Sequence, residues 1–408
     1  MSDAFVKAAE DAFASGDAAA ARQLLKQATD AGDLNGAYAY AVALAYGQGG
    51  TADTAAASEV LSSIADALPA ARRFHRIAMA SGWCTDLSHK DAVEDLLAGA
   101  RSGNPSDQRE TGLLLLLAGA PGLADTVLLQ AADNGDPGAA MALLRHGKAP
   151  PAAPWSKRVR QWLLQTRHPL AKELTELRQS AIADLGGSNI DWNNVSKKLE
   201  HAAEPVLNTR ELAAGISANT TRDIIPAAVC DYVLTTGLRA LQPSTIVDPG
   251  TGEKKLDPHR QSLSMTYAPH MQDLVLHGLE RKMALLADMP WENCEQLVLL
   301  FYRPGEQYKP HVDYFSPDDD GNAQELSRAG QRVATSLVCL HPADSGGGTL
   351  FPRFGAMWTG HQGDALSFRN VNVHGEPEPL SLHQGQLVET GWKALASLWI
   401  RERPMGLN

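Results

Sequence analysis

Two stretches toward the C-terminal end hold the residue types that could bind and use a metal: YRPGEQYKPHVDYF at 302–315 and SLHQGQLVETGWKALASLWIR at 381–401. Between them they offer His311, Asp313 and His383, with Lys393 ten residues after the second histidine. Two neutral imidazoles and one carboxylate on one face of an ion, with the opposite face open, make the ligand set of a non-haem Fe(II) oxygenase. The open face is where O₂ and an organic co-substrate would bind.

A His-x-Asp pair discriminates poorly in a chain with 13 histidines. His89-Lys90-Asp91 repeats the spacing in a helical-looking stretch and reads as a solvated pair, and His374-Gly375-Glu376 lies in a loop rich in Gly and Pro. Context separates His311 and Asp313 from these. The run EQLVLLFY at 295–302 is apolar and strand-like, and HVDYF alternates, which predicts both ligands on one face of a strand.

The third ligand must come from another strand, and His341, His361, His374 and His383 are the candidates downstream. His383 occupies a short strand-like segment, followed by the turn LVETG and the strand KALASLWIR. Antiparallel neighbours lie side by side, so a hairpin here would let His383 and Lys393 face one cavity. Lys393 is surrounded by Ala394, Leu395, Ala396 and Leu398 and needs a counter-anion to offset its desolvation. The far carboxylate of a metal-chelating dicarboxylate would serve, and so would a protein carboxylate such as Glu389.

With these pieces in order, residues from about 222 to 403 resemble the catalytic domain of the prolyl 4-hydroxylase family of Fe(II)- and 2-oxoglutarate-dependent dioxygenases. The matching text is YRPGEQYKPHVDYF, RVATSLVCL at 332–340, GGGTLFP at 346–352, GDALSFRN at 363–370, and the His383 and Lys393 segment ending in Trp399-Ile400-Arg401. The resemblance implies a double-stranded β-helix (jelly-roll) domain with His311, Asp313 and His383 as iron ligands. It implies Lys393, Tyr302 and Thr335 as contacts of 2-oxoglutarate, Tyr308 and Trp399 near the substrate, and ascorbate as an accessory reductant. The reaction it implies is hydroxylation of a peptidyl proline by O₂, with 2-oxoglutarate converted to succinate and CO₂. Core packing is the other reading of Tyr308 and Trp399. The chain departs from the family at Leu387-Val388, Gly348 and Trp392-Lys393-Ala394, which changes the rim and removes no ligand. Hydroxylation of another residue or of a small molecule uses the same chemistry, and a helical-repeat adaptor with a structural barrel is the non-enzymatic reading.

The polar stretch SPDDDGNAQELSRAGQ after HVDYF reads as a loop beside the metal mouth, either a lid over a polypeptide or a plain solvated connection. Residues 1–147 differ in kind: they are rich in Ala and Leu, and they repeat. LLKQATDAGDLNGA at Leu24 returns as LLQAADNGDPGAA at Leu128, with degenerate copies at Leu61 and Leu96. Spacings in the thirties of residues are those of helix-turn-helix solenoids, and the region resembles tetratricopeptide repeats of the Sel-like branch, with AYAYAVALAYGQGG at 37–50. Such a stack offers a surface to a protein partner. An alanine-rich bundle that only stabilises the enzyme is the alternative. KAPPAAP at 148–154 predicts a semi-rigid linker, and 155–221 a helical connection to the catalytic domain at 222–403.

The 408 residues suffice for at least two cores. A net charge of −11 argues against general nucleic-acid binding. No apolar run approaches the roughly 18–20 residues that cross a membrane, and MSDAFVKAAED is too charged for a signal peptide. Cys84, Cys230, Cys294 and Cys339 lack metal-site spacing and read as reduced thiols, consistent with a cytoplasmic protein.

Overall fold

The computed structural model describes residues 2–84, 86–145, 154–165, 170, 190–200, 208–247, 254–256, 258–317 and 319–405. The predicted linker lies outside the described residues up to Pro154, as do residues 166–169, 171–189 and 201–207 of the predicted helical connection.

Helices α1 (Ser2–Ala14), α2 (Ala18–Asp30), α3 (Leu34–Ala45), α4 (Thr54–Ile64), α5 (Pro69–Ala80), α6 (His89–Arg101), α7 (Pro105–Leu117), α8 (Pro121–Asp133) and α9 (Pro137–Arg145) follow one another at short joints. The joints explain the repeat. Gly32, Gly103 and Gly135 adopt positive φ, which ends a helix at little steric cost. The next side chain then caps the following helix: Asp33 accepts from Gly36 N at 2.8 Å, Asn104 from Asp107 N at 3.2 Å and Asp136 from Ala139 N at 2.8 Å. Pro105 and Pro137 occupy first-turn positions that need no N–H donor. Between α2 and α3 the contact is so close that a β-carbon on Gly36 would lie 2.5 Å from Ala28 Cβ.

The chain divides into two compact units, Met1–Ser102 with Ala268–His277, and Gly103–Tyr267 with Gly278–Met405. In the first, the turn Pro269–Met271 is gripped by repeat side chains: Tyr38 Oη donates to His270 O at 3.1 Å, and Tyr46 Oη lies 3.1 Å from His270 Nδ1. The second contains α7 to α9 together with the sheets. Asp231, fully buried, accepts from Arg145 Nε at 3.0 Å and from Gln362 Nε2 at 3.0 Å, so α9 is ion-paired within the second unit. Repeat similarity therefore runs on past the packing boundary.

After α10 (Pro154–Gln165) and α11 (Trp192–Glu200) come the strands β1 (Thr209–Ala213), β2 (Ala218–Thr221), β3 (Gln242–Pro243), β4 (Thr245–Val247), β5 (Lys254–Leu256), β6 (Leu263–Thr266), β7 (Val298–Tyr302) and β8 (Tyr308–His311). They continue as β9 (Arg332–His341), β10 (Ser345–Gly346), β11 (Thr349–Phe351), β12 (Ala356–Trp358), β13 (Ala365–Arg369), β14 (His383–Gly385), β15 (Val388–Thr390) and β16 (Lys393–Arg401). An eight-stranded sheet has the order β1-β2-β13-β9-β16-β7-β6-β3, and a four-stranded sheet the order β12-β11-β14-β8, each pairing antiparallel. This is the expected double-stranded β-helix.

Its core is filled from both sheets by alternate residues, Val298, Leu300 and Tyr302 of β7 and Leu337 and Cys339 of β9 meeting Phe351 and Trp358. The intervening residues are buried too, because a helix, α12 (Ala227–Gly237), covers the other face: a β-carbon on Gly237 would lie 2.5 Å from Leu299 Cδ2. That double burial is why VLLFY and ATSLVCL read as continuous apolar runs.

Candidate active site

His311 ends β8 and His383 opens β14, and the two are direct cross-strand partners in the smaller sheet. Their rings lie 4.3 Å apart between centroids. Each Nδ1 is bonded to a backbone carbonyl two residues earlier, His311 to Lys309 O at 2.8 Å and His383 to Ser381 O at 2.9 Å. A carbonyl can only accept, so each Nδ1 carries the proton and each Nε2 presents its lone pair. Both lone pairs face Asp313: His311 Nε2 is 3.7 Å from Oδ1 and His383 Nε2 is 3.6 Å from Oδ2. The three ligand atoms lie within 4.8 Å of one another, a donor set that fits Fe(II). Burial drives the His311 pKa down to about 3, which keeps the imidazole neutral as a ligand must be. Burial works against ionising Asp313, while the Thr335 hydroxyl and the Arg332 guanidinium favour the carboxylate, which is held below its usual value.

The alternation predicted for HVDYF stops at His311. Val312 to Phe315 leave the ladder, and Asp313 sits in a bend rather than on a strand. Two side chains replace the missing strand partner. Thr335 Oγ1 donates to Asp313 Oδ2 at 2.6 Å, and the Gln331 amide bonds both sides of Phe315, accepting from its N at 2.6 Å and donating to its O at 2.8 Å. Thr335, expected to contact the co-substrate, donates its hydroxyl to the Asp313 carboxylate.

The predicted His383–Lys393 hairpin also differs. β14 pairs with β8 and β11 in one sheet, β16 with β7 and β9 in the other, and β15 between them pairs with β10. The two residues line one cleft from different sheets instead of along a ladder, with β15 (Val388–Thr390) and its β10 partner between them in the chain. Arg260, Tyr302, Tyr308, Thr349, Lys393 and Trp399 line this cleft together with His311, Asp313 and His383.

Lys393 is buried, lies opposite Tyr302 in the ladder, and holds its Nζ 5.7 Å from the Tyr302 ring centroid. It donates to Gly347 O, and among the described residues no carboxylate pairs with it; Glu389 is exposed and elsewhere. Burial lowers its pKa to about 8. Tyr308 stacks on His311 with 3.4 Å between ring centroids, under the Arg260 guanidinium at 5.3 Å. Trp399 carries the Arg332 guanidinium at 4.3 Å, and its Nε1 is buried without a partner.

The other histidines are accounted for differently. His341 stacks on Trp392 at 3.5 Å, His374 is exposed in a hairpin loop, and His361 lies in the turn closed by Asp364. His89 starts α6, where Asp91 completes a capping box with Ser88. Residues that the sequence reading passed over are Arg260, Arg332, Thr349 and Gln331. Arg332 had a legible signal, a lone cation opening an apolar strand; Arg260 had none.

The polar stretch after HVDYF is not an open loop throughout, since it contains a helix, α14 (Ala323–Ala329), that comes after a helix α13 (Leu274–Leu286) in chain order. Arg401, wholly buried, ties it down: the guanidinium pairs with Glu325 at 3.1 Å and Glu295 at 3.2 Å and donates to Gly330 O. Glu295 also takes both prongs of Arg332 at 2.7 and 2.8 Å. Arg401→Met is expected to destabilise the protein by about 3 kcal/mol, the cost of leaving buried ion-pair partners behind, measured as a lower Tm with faster proteolysis across 316–331.

The chain is similar to several known proteins. Over 196 residues the chain is 32% identical to Prolyl 4-hydroxylase 1 of Arabidopsis thaliana, a match spanning 44% of this chain and 67% of that protein. Probable prolyl 4-hydroxylase 6 of the same plant is 33% identical, spanning 43% and 66%. Among solved structures, a viral collagen prolyl hydroxylase of Paramecium Bursaria Chlorella virus-1 aligns with TM-score 0.36 and 21% identity, covering 48% of this chain and 99% of that one. A Sel1 repeat protein of Oxalobacter formigenes aligns with TM-score 0.32 and 19% identity, covering 48% and 88%. No protein-family model matches the chain. The chain belongs to the prolyl 4-hydroxylase family of Fe(II)- and 2-oxoglutarate-dependent dioxygenases.

Proposed function

We propose that this enzyme hydroxylates a proline within a polypeptide, at C4, while converting 2-oxoglutarate and O₂ to succinate and CO₂. The observation that carries the reading is a neutral-imidazole, carboxylate triad facing the same cleft as a buried lysine that has no carboxylate partner among the described residues. His311, Asp313 and His383 would hold Fe(II), and the bound ion with its co-substrate would supply the oxidising power for an unactivated C–H bond. The protein's part is placement. Lys393 offers an ammonium to the distal carboxylate of 2-oxoglutarate, with Tyr302 and Thr349 on the adjoining walls. Tyr308 and Trp399 line the cleft beside the triad, where a proline side chain would approach, with Tyr308 held by His311 and Arg260 and Trp399 by Arg332.

In the same reading, ascorbate serves as the reductant that rescues oxidised iron, the protein works in the cytoplasm with its four cysteines as thiols, and the repeats present a surface to a protein partner. Succinate release by anaerobically iron-loaded protein, on admitting O₂ with and without proline-containing peptides, tests the central claim. Peptide-stimulated succinate with a one-oxygen mass gain on proline is the expected result. The same gain on another residue or only on a small molecule would overturn the prolyl assignment, and no succinate above the His383→Ala level with any substrate would favour the adaptor.

A further inference from the structure

Asp313 lacks the strand geometry that fixes His311 and His383, so its orientation must come from side chains. Thr335 Oγ1 stands 2.6 Å from Asp313 Oδ2, and an ionised carboxylate can only accept, so the one hydroxyl proton of Thr335 points at Asp313. The hydroxyl is left as an acceptor on its other side. There Asn370 Nδ2 donates to it at 2.9 Å. The alternative amide orientation would offer the hydroxyl a second acceptor and draw its proton away from the carboxylate.

Asn370 is itself held rigidly. It follows the last ladder residue of β13, where Arg369 faces Ala334 and Phe368 faces Thr335, and continues that register by donating its N–H to Val333 O at 3.0 Å. Its carbonyl accepts from Glu378 N at 2.9 Å. The side chain is wholly buried, yet its Oδ1 has no hydrogen-bond partner. An orphaned buried acceptor is destabilising, and such groups ask for an explanation. Keeping the Nδ2 donor aimed at Thr335 is one.

We propose that Asn370 and Thr335 form a donor relay that positions the metal-binding carboxylate: Asn370 sets the direction of the Thr335 hydroxyl, which engages Asp313 Oδ2 and leaves Oδ1 as the oxygen without a protein donor. Both are positioning residues, acting through Asp313. The proposal rests on the metal site above, and the test separates the two.

Co(II) dissociation constants, read from the visible absorption of the bound ion in protein shown to be folded by circular dichroism, are compared across variants. Thr335→Val, which keeps shape and loses the hydroxyl, weakens Co(II) by about 10–100-fold, the range for partners behind metal ligands. Thr335→Ser restores the wild-type affinity and spectrum. Asn370→Leu weakens Co(II) by about tenfold when Thr335 is present and has no further effect in the Thr335→Val background, as coupled partners require. Unchanged Co(II) affinity in Thr335→Val, or an equal loss from Asn370→Leu in both backgrounds, overturns the relay. Should Asn370→Leu fail to fold, the Thr335→Val and Thr335→Ser pair still decides. Wild-type protein that binds no Co(II) would instead overturn the metal site itself.

Discussion

Replacing His383 with alanine is expected to reduce iron-dependent succinate formation to the level of metal-free protein, while His374→Ala retains wild-type activity. The asymmetry follows from position. His383 is paired in register with His311, its Nδ1 is fixed by Ser381 O, and its Nε2 faces Asp313 at 3.6 Å. Without it one imidazole and one carboxylate remain, too few groups to hold a labile divalent ion against water. His374 is exposed in the loop after β13 and faces no other ligand. Because His383 packs against Phe351 and Phe368, at 5.8 and 4.8 Å between ring centroids, the variant also needs a folding check by circular dichroism. An active His383→Ala enzyme beside a dead His374→Ala enzyme would refute the ligand assignment.

What the sequence made legible, and what it hid, divides along physical lines. Helix joints are local: a positive-φ glycine, an Asp or Asn cap and a first-turn proline write themselves into the text at Gly32-Asp33 and Gly103-Asn104-Pro105, so the repeats could be read without long-range information. The apolar runs of β7 and β9 were equally readable, because helices on one face and the core on the other demand continuous hydrophobicity. Sheet membership is not local. The spacing of His383 and Lys393 fits a hairpin, and nothing in LVETG states that the chain crosses between sheets there. Nor could alternation show that Asp313 has left its strand, since the side chains that hold the bend, Gln331 and Thr335, come 18 and 22 residues later. The helix at 323–329 stayed hidden for a similar reason: AQELSRA is a modest helix former, stabilised by a buried arginine more than 70 residues downstream. Arg260 joins the cleft by a bridge to Tyr308 outside any named strand, and its type and spacing carry no signal.

The affinity for 2-oxoglutarate is expected to weaken as pH rises through about 8, and Lys393 is the cause. Burial favours the neutral amine, so the free protein carries an ammonium below pH 8 and increasingly an amine above it. Binding the distal carboxylate requires the ammonium, so above pH 8 a proton must be taken up on binding. The apparent Kd therefore rises about tenfold between pH 7 and pH 9 and a further tenfold per unit beyond, until the raised pKa of the complex is reached. Lys393→Ala has nothing to titrate; it should bind 2-oxoglutarate about 10- to 100-fold more weakly at pH 7, corresponding to about 1.5–3 kcal/mol for a charged hydrogen bond, with no break near pH 8. A 2-oxo monocarboxylic acid keeps the chelating end and lacks the distal carboxylate, so its pH profile reports the metal alone. Calorimetric titrations of both acids from pH 6.5 to 9.5, on wild type and Lys393→Ala loaded anaerobically with metal, separate these effects. If both acids break together near pH 8, or if Lys393→Ala keeps the break, the titrating group lies at the metal and Lys393 is not the anchor of the co-substrate.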